Sequence, residues 1–261
     1  MCAQSHPAAG SPDRGQAVRT RAHVLPFAVF MGFLMVLQFA QPVIEWRHPS
    51  APWWRRAPEH WLYPLQAVVC FVILLRCWKW YDFRWSWKWS AWGVLFGAVG
   101  IGIWLLPTVM YDRLGLQSDP EGWMGWLGVS ARTKGFDPAE FGRGAPFWCA
   151  LVLRFFRAAV VVALVEEIFW RGFLMRFVMD WDGDYWREPF GRAAWKSYLV
   201  VTTLFIMAHT AVDRPAAFVY GTLAWLLCVW SKNLGACVVM HATANFLMGC
   251  YIMAYGKFGL W

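Results

Sequence analysis

Seven apolar segments, joined by polar connections, dominate this sequence of 261 residues. An α-helix needs about 20 mainly apolar residues to cross a bilayer, and none of the segments shows the alternation that is typical of a membrane-barrel strand. The sequence therefore predicts an all-α fold, a polytopic transmembrane helical bundle of about seven to eight spans. We place the spans at residues 24–44, 61–75, 91–110, 147–172, 197–209, 216–230 and 234–255, and an eighth would have to lie in the loop 111–146.

The composition agrees with a membrane protein and argues against a nucleic-acid partner. Hydrophobic residues make up 59% of the chain, which contains 21 Trp and 20 Phe. The net charge of +8 comes from 24 Lys and Arg that are scattered between the spans, as in the segment WKWYDFRWSWKWSAW at 78–92. Basic and aromatic residues interleaved in this way are typical of anchors at lipid head groups. We therefore expect membrane lipid as a partner and no nucleic acid.

The domain organisation is simple. Residues 1–23 are polar and lack the apolar core of a signal peptide, so we expect a disordered polar tail followed by a single transmembrane domain over 24–261. Abundant Trp, Ala and Arg, with no processed leader, favour a bacterial cytoplasmic (inner) membrane, with the endoplasmic reticulum as second choice. The 7 cysteines show no CxxC spacing and fall mostly in apolar runs, which indicates small core residues rather than a disulfide framework.

Two adjacent acids, Glu166 and Glu167, interrupt the fourth span in the stretch VALVEEIFWRG at 162–172. A carboxylate deep in a bilayer costs about 2.5–3.5 kcal/mol, so such acids usually face a polar cavity or a charge partner. On a helix, Glu167 and Arg171 are four residues apart in the order that favours an ion pair. Glu166 points about 100° away from Glu167. The sequence predicts a structural role for Glu167 and leaves Glu166 for chemistry, unless both acids simply reach interfacial water.

Two later spans also carry polar side chains at helical spacing. Phe205 and His209 share one helix face, and His241 and Asn245 share another. A cavity that joined these polar groups to Glu166 would hold a carboxylate, two imidazoles and an amide. Such groups can activate a water molecule and stabilise the oxyanion of a tetrahedral intermediate.

The three motifs EExxxR (EEIFWR), FxxxH (205–209) and HxxxN (241–245) occur in this order within residues 160–250. In that order they resemble the CAAX-protease and bacteriocin-processing (CPBP or ABI) family of intramembrane glutamic-type proteases. The resemblance implies an all-helical membrane enzyme without a metal cofactor. Eukaryotic members remove a C-terminal tripeptide from prenylated CAAX proteins, so the implied partner is a peptide or lipidated protein substrate.

The resemblance also implies a role for each matching residue. Glu166 and His209 would activate water, and His241 with Asn245 would stabilise the oxyanion. The remaining motif positions would support them, namely Glu167, Arg171 and Phe205.

Two alternatives stay open on the residues alone. Glu166, His209 and His241 could bind zinc with an open fourth position, as in a zinc-dependent intramembrane protease. The HExxH pair of many zinc proteases is absent from the sequence, however. A non-catalytic membrane scaffold or transporter is the other alternative. In that protein Arg154 and Arg157 would suit an anionic ligand or lipid head group, although snorkelling to the interface is the simpler interpretation of both arginines.

Overall fold

The computed structural model describes residues 14–46, 48–115 and 123–261, and these residues form a helical bundle without strands. Six of its helices are long and apolar enough to cross a membrane, and a seventh is shorter. The chain is an integral membrane protein of the predicted helical class. Its principal helices are α1 (Arg14–Ile44), α2 (Glu59–Trp80), α3 (Trp87–Leu114), α4 (Ala145–Phe177), α5 (Trp195–Met207), α6 (Ala211–Ser231) and α7 (Leu234–Tyr255).

Helix α1 corrects the predicted tail. Residues 1–13 lie outside the described residues, but residues 14–23 are helical rather than disordered. Their polar side chains have partners, since the Thr20 hydroxyl lies 2.5 Å from the Tyr185 hydroxyl and the buried His23 ring packs edge-on against Tyr81. A boundary placed where hydropathy falls misses this extension, because the helix continues beyond its apolar part.

The region 111–146 contains no eighth span among its described residues. It holds the end of α3, a short helix at Trp123–Trp126 and a 3-10 turn at Pro138–Phe141. Polar contacts tie this loop to the rest of the bundle. Arg132 pairs with Asp213 at the start of α6, and the Lys257 ammonium donates to an Asp112 carboxylate oxygen at 2.6 Å and to the Ala131 carbonyl at 3.2 Å.

Two glycines allow α3 to lie against the last helix, α7. A Cβ added at Gly93 would lie 2.6 Å from the carbonyl oxygen of Ala236, and one added at Gly97 would overlap the carbonyl oxygen of Met240. The spacing Gly-x-x-x-Gly places both on one face of α3, where small residues let the backbones of membrane helices approach closely. The contact fixes the part of α7 that comes directly before His241.

The start of α7 is fixed by a side-chain cap. The Asn233 side chain accepts a hydrogen bond from the Ala236 backbone N–H at 3.1 Å, which satisfies a donor at the beginning of the helix. Its amide also donates to the Arg84 carbonyl at 2.5 Å. The segment before α3 thus anchors the helix that carries His241 and Asn245.

Candidate active site

A cavity of about 290 Å³ lies inside the bundle, bordered by α3, α4, α5, α6 and α7. All four residues for which the sequence predicts catalytic roles line this one cavity: Glu166, His209, His241 and Asn245. Phe205 lines it as well, whereas Glu167 and Arg171 lie behind the wall. The structure therefore brings together side chains that come from three separate segments of the sequence.

Helix α4 is irregular around the acid pair. The short α-helical segment Ala163–Glu167 is flanked by π-helical segments at Phe156–Val162 and Ile168–Leu174. Such segments are rare in proteins and frequently occur at functional sites. No residue pattern in the sequence indicates them, because the same apolar residues also form ordinary α-helix.

Hydrogen bonds join Glu167, Arg171 and His241, which we call the bonded face; His241 lines the cavity, and the other two residues lie behind it. The buried Oε1 atom of Glu167 accepts from Arg171 Nη1 at 3.0 Å and lies 2.8 Å from His241 Nδ1. The predicted ion pair between Glu167 and Arg171 is confirmed. The bond to His241 was not predicted, since it joins residues that are 74 positions apart.

We call Glu166, His209 and Asn245, which also line the cavity, the open face. Glu166 is half-buried, and its carboxylate forms no hydrogen bond or ion pair with any of the residues that the structure describes. Glu166 and Glu167 thus differ in their surroundings although they are neighbours in sequence. One carboxylate is held by two partners, and the other is exposed to the cavity.

The geometry around His209 determines which ring nitrogen faces the cavity. The sequence predicted His209 to lie within the fifth span, but His209 lies just beyond the end of α5, which ends at Met207. Its Nδ1 is 2.7 Å from the Phe205 carbonyl oxygen. A carbonyl oxygen can only accept, so Nδ1 carries a proton and donates. In the neutral ring, the lone pair is then on Nε2, which is the atom that is free to accept a proton.

His241 and Asn245 are held by other contacts. Because a carboxylate only accepts, the His241 Nδ1 proton points to Glu167, and Nε2 is left for the cavity. The Asn245 amide donates through Nδ2 to the Ala158 carbonyl at 2.8 Å, within the first π-helical segment of α4. This bond orients the amide and leaves the second Nδ2 hydrogen without an assigned acceptor.

Phe205 connects the two faces. The Arg171 guanidinium lies 5.3 Å from the centre of its ring, while its carbonyl accepts from His209. The ring itself is buried and packs 4.5 Å, centre to centre, from the His209 imidazole. The supporting position predicted for Phe205 is consistent with these contacts.

One further polar residue of the cavity was missed. Tyr220 lines the cavity and is almost completely buried, and its buried hydroxyl has no hydrogen-bond partner among the described residues. Its ring lies 5.9 Å from the His241 imidazole, centre to centre. A polar side chain within an apolar span was the signal that identified His209, and the Tyr220 hydroxyl gives the same signal in the sequence.

The zinc alternative requires three ligands around one point. Within residues 14–46, 48–115 and 123–261, no group of three His, Cys, Asp or Glu side chains is arranged to hold a metal ion. Nδ1 of each cavity histidine is engaged, by a carbonyl or by Glu167, so only Nε2 of each ring could coordinate a metal.

Part of the chain is similar to a known family. Residues 148–247 match the family described as Type II CAAX prenyl endopeptidase Rce1-like. The matched segment begins in α4 and ends in α7, and it contains every residue of both faces. No curated protein and no solved structure matches the chain.

Proposed function

We propose that this protein is an intramembrane endopeptidase that cleaves peptide bonds near the C-terminus of membrane-associated proteins. Prenylated CAAX proteins are the substrate class that the Rce1-like match suggests. One observation carries the proposal: an unpaired carboxylate, two imidazoles and an amide line a single cavity inside a membrane bundle. Groups of this kind at a concave site are the components of acid–base hydrolysis.

In the first step, Glu166 accepts a proton from a water molecule as the water oxygen attacks the carbonyl carbon of the substrate. Glu166 suits this role because its carboxylate forms no hydrogen bond or ion pair with any of the described residues. His209 assists through Nε2, which accepts a hydrogen bond from the same water while Nδ1 remains fixed on the Phe205 carbonyl. The new C–O bond produces a tetrahedral intermediate with a negatively charged oxygen.

Asn245 and His241 stabilise that charge. The second Nδ2 hydrogen of Asn245 donates to the oxyanion, and His241 donates from Nε2 when it carries both ring protons. Glu167 holds this ring in place, since its carboxylate accepts the hydrogen bond from Nδ1. The intermediate then collapses: the C–N bond breaks, the proton taken up by Glu166 passes to the leaving amine, and the other product leaves as a carboxylate.

The proposed mechanism uses no metal, and the substrate approaches in the plane of the membrane as a peptide or lipidated protein. A bacterial cytoplasmic membrane is the proposed location, on composition alone. The proposal is tested against two alternatives. They are zinc-dependent proteolysis and a non-catalytic scaffold or transporter.

The test uses the purified chain in phosphatidylcholine nanodiscs. The probe is an internally quenched farnesylated peptide that ends in Cys, two aliphatic residues and Met, and mass spectrometry locates the cleaved bond. We expect Glu166→Gln to lower kcat/KM by about 10²–10⁴-fold, the usual contribution of a general base. The matched control is Glu188→Gln, which removes an acid paired with Arg192 outside the cavity and should leave the rate unchanged.

Each alternative has a distinct outcome. Full-rate cleavage by the Glu166→Gln variant would remove Glu166 from the mechanism. Activity that is lost to phenanthroline and restored by zinc would establish the metalloprotease instead. If the wild-type protein is folded but cleaves no membrane peptide, the result would favour a non-catalytic scaffold or transporter.

A further inference from the structure

Two arginines in α4 lie where the sequence alone would not place them. Arg154 and Arg157 line the catalytic cavity and also border a second, mainly apolar cavity of about 230 Å³. Arg154 is only 6% exposed, so the snorkelling interpretation is wrong for this residue. Its Nε and Nη1 atoms are buried and have no hydrogen-bond partner among the described residues.

Aromatic rings, rather than acids, surround these two cations. The Arg154 guanidinium carbon lies 4.9–5.0 Å from the ring centres of Tyr63, Phe136 and Trp261. The guanidinium of Arg157 lies 4.2 Å from the ring of Tyr63.

No carboxylate in the described part of the chain forms an ion pair with either arginine. The Nε atom of Arg157 donates to the neutral Gln66 amide oxygen at 2.8 Å. Glu59 interacts electrostatically with Arg154, and Glu166 interacts electrostatically with Arg157. Both acids lie beyond ion-pair distance. A buried cation without a counterion is costly, and an anionic ligand would offset that cost.

The position of the pair on α4 indicates where such an anion would lie. Arg157 and Arg154 precede Glu166 by nine and twelve residues on α4, which is no more than about 14 and 18 Å at the rise of an α-helix. An extended peptide advances about 3.3–3.6 Å per residue. A peptide with its scissile bond at Glu166 therefore comes level with the arginines within about four to five residues beyond that bond.

We propose that Arg154 and Arg157 bind the terminal carboxylate of the peptide substrate and so set the distance of the cleaved bond from the C-terminus. The second cavity would receive the side chain of the terminal residue. This inference rests on the proposed function. A guanidinium matches a carboxylate with two parallel hydrogen bonds, and Arg154 has unsatisfied donors for them. The same chemistry would also bind a lipid phosphate, which the experiment must separate.

The experiment compares the farnesylated peptide as a free acid with the same peptide as a C-terminal amide, in phosphatidylcholine nanodiscs. We expect kcat/KM of the wild-type protein to be about 10- to 100-fold higher for the acid, the factor that corresponds to one or more hydrogen bonds to a charged group. The ratio of the two rates is measured within each variant, so a change in the amount of folded protein cancels.

In Arg154→Gln and Arg157→Gln, this ratio should fall towards one, and Arg154→Lys should retain part of it because the charge remains. The matched control is Arg176→Gln. Arg176 lies on the same helix and is also 6% exposed, but it lines neither cavity and donates to the Gly172 carbonyl. The control variant should keep the wild-type ratio.

Four outcomes separate this inference from the proposed function. A ratio near one in the wild-type protein, with Glu166→Gln inactive, would overturn the inference and leave the function intact. An unchanged ratio in both glutamine variants would also overturn it. Rates that follow the phosphatidylglycerol content of the nanodisc but not the terminal carboxylate would assign the arginines to a lipid phosphate. Failure to cleave either peptide would contradict the proposed function itself.

Discussion

The bonded face and the open face each contain one of two glutamates that are adjacent in sequence, and the two carboxylates differ in burial and in hydrogen bonding. Glu167 is fully buried, and Oε1 contacts both Arg171 and His241. Glu166 has no such partner and faces the cavity. The comparison shows how one carboxylate is left without a partner in a membrane protein: the neighbouring acid pairs with the buried arginine and holds an imidazole.

The largest expected effect on stability is at the bonded face. Glu167→Gln keeps an oxygen at the Oε1 position but removes the charge that balances the buried Arg171. Removing one partner of a buried ion pair costs about 3–5 kcal/mol. We therefore expect thermal unfolding in detergent micelles to shift clearly downwards, whereas Glu166→Gln should unfold like the wild-type protein.

The control for this first prediction removes both charges. Glu167→Gln combined with Arg171→Met should recover much of the lost stability, because no unpaired charge remains. If Glu166→Gln destabilised the protein as strongly as Glu167→Gln, the distinction between the faces would be wrong.

A smaller effect is expected at Asn245, this time on the rate. Loss of one oxyanion donor typically lowers kcat by about 10²–10³-fold. Asn245→Ala removes the amide that is oriented by the Ala158 carbonyl, so kcat for the farnesylated peptide should fall within this range.

Asn233→Ala provides the comparison on the same helix. It removes the side-chain cap of α7, which should cost about 0.5–2 kcal/mol of stability and leave kcat unchanged. Equal losses of kcat in the two variants would mean that Asn245 acts only by holding the helix.

A further effect, on stability alone, is expected where α3 packs against α7. Gly97→Ala places a methyl group against the Met240 carbonyl, which directly precedes His241. Overpacking of this kind costs about 1–3 kcal/mol. Gly102→Ala is the matched control on α3, since nothing lies within 4 Å of its added Cβ, and it should be neutral or stabilising. Unfolding of the two variants in detergent measures the difference.

The sequence was sufficient for features that depend on local periodicity. The ion pair of Glu167 with Arg171 follows from a spacing of four on one helix, and the structure confirms it. The apolar spans were placed correctly for the same reason, because each segment carries its own hydropathy. Even the short fifth helix was anticipated, although it ends at Met207, before His209.

Features that depend on packing between helices could not be obtained in this way. The bond from His241 to Glu167 and the burial of Arg154 among aromatic rings both join distant parts of the chain. The start of α1 at Arg14 belongs to the same group, since its polar turns are stabilised by Tyr185 and Tyr81. Hydropathy alone contains no information about such partners.

The π-helical segments of α4 affect the direction in which the acid pair points about the helix axis. Each π-helical hydrogen bond spans one residue more than an α-helical one. A change of Phe156–Val162 from π-helix to α-helix, with no residue removed, would therefore rotate the preceding part of α4 by about 100° relative to the acids. Arg154 would then point in a different direction relative to Glu166 without any change in residue type. The number of residues per turn in this segment thus sets the angle between Glu166, the proposed base, and Arg154, a proposed anion-binding residue.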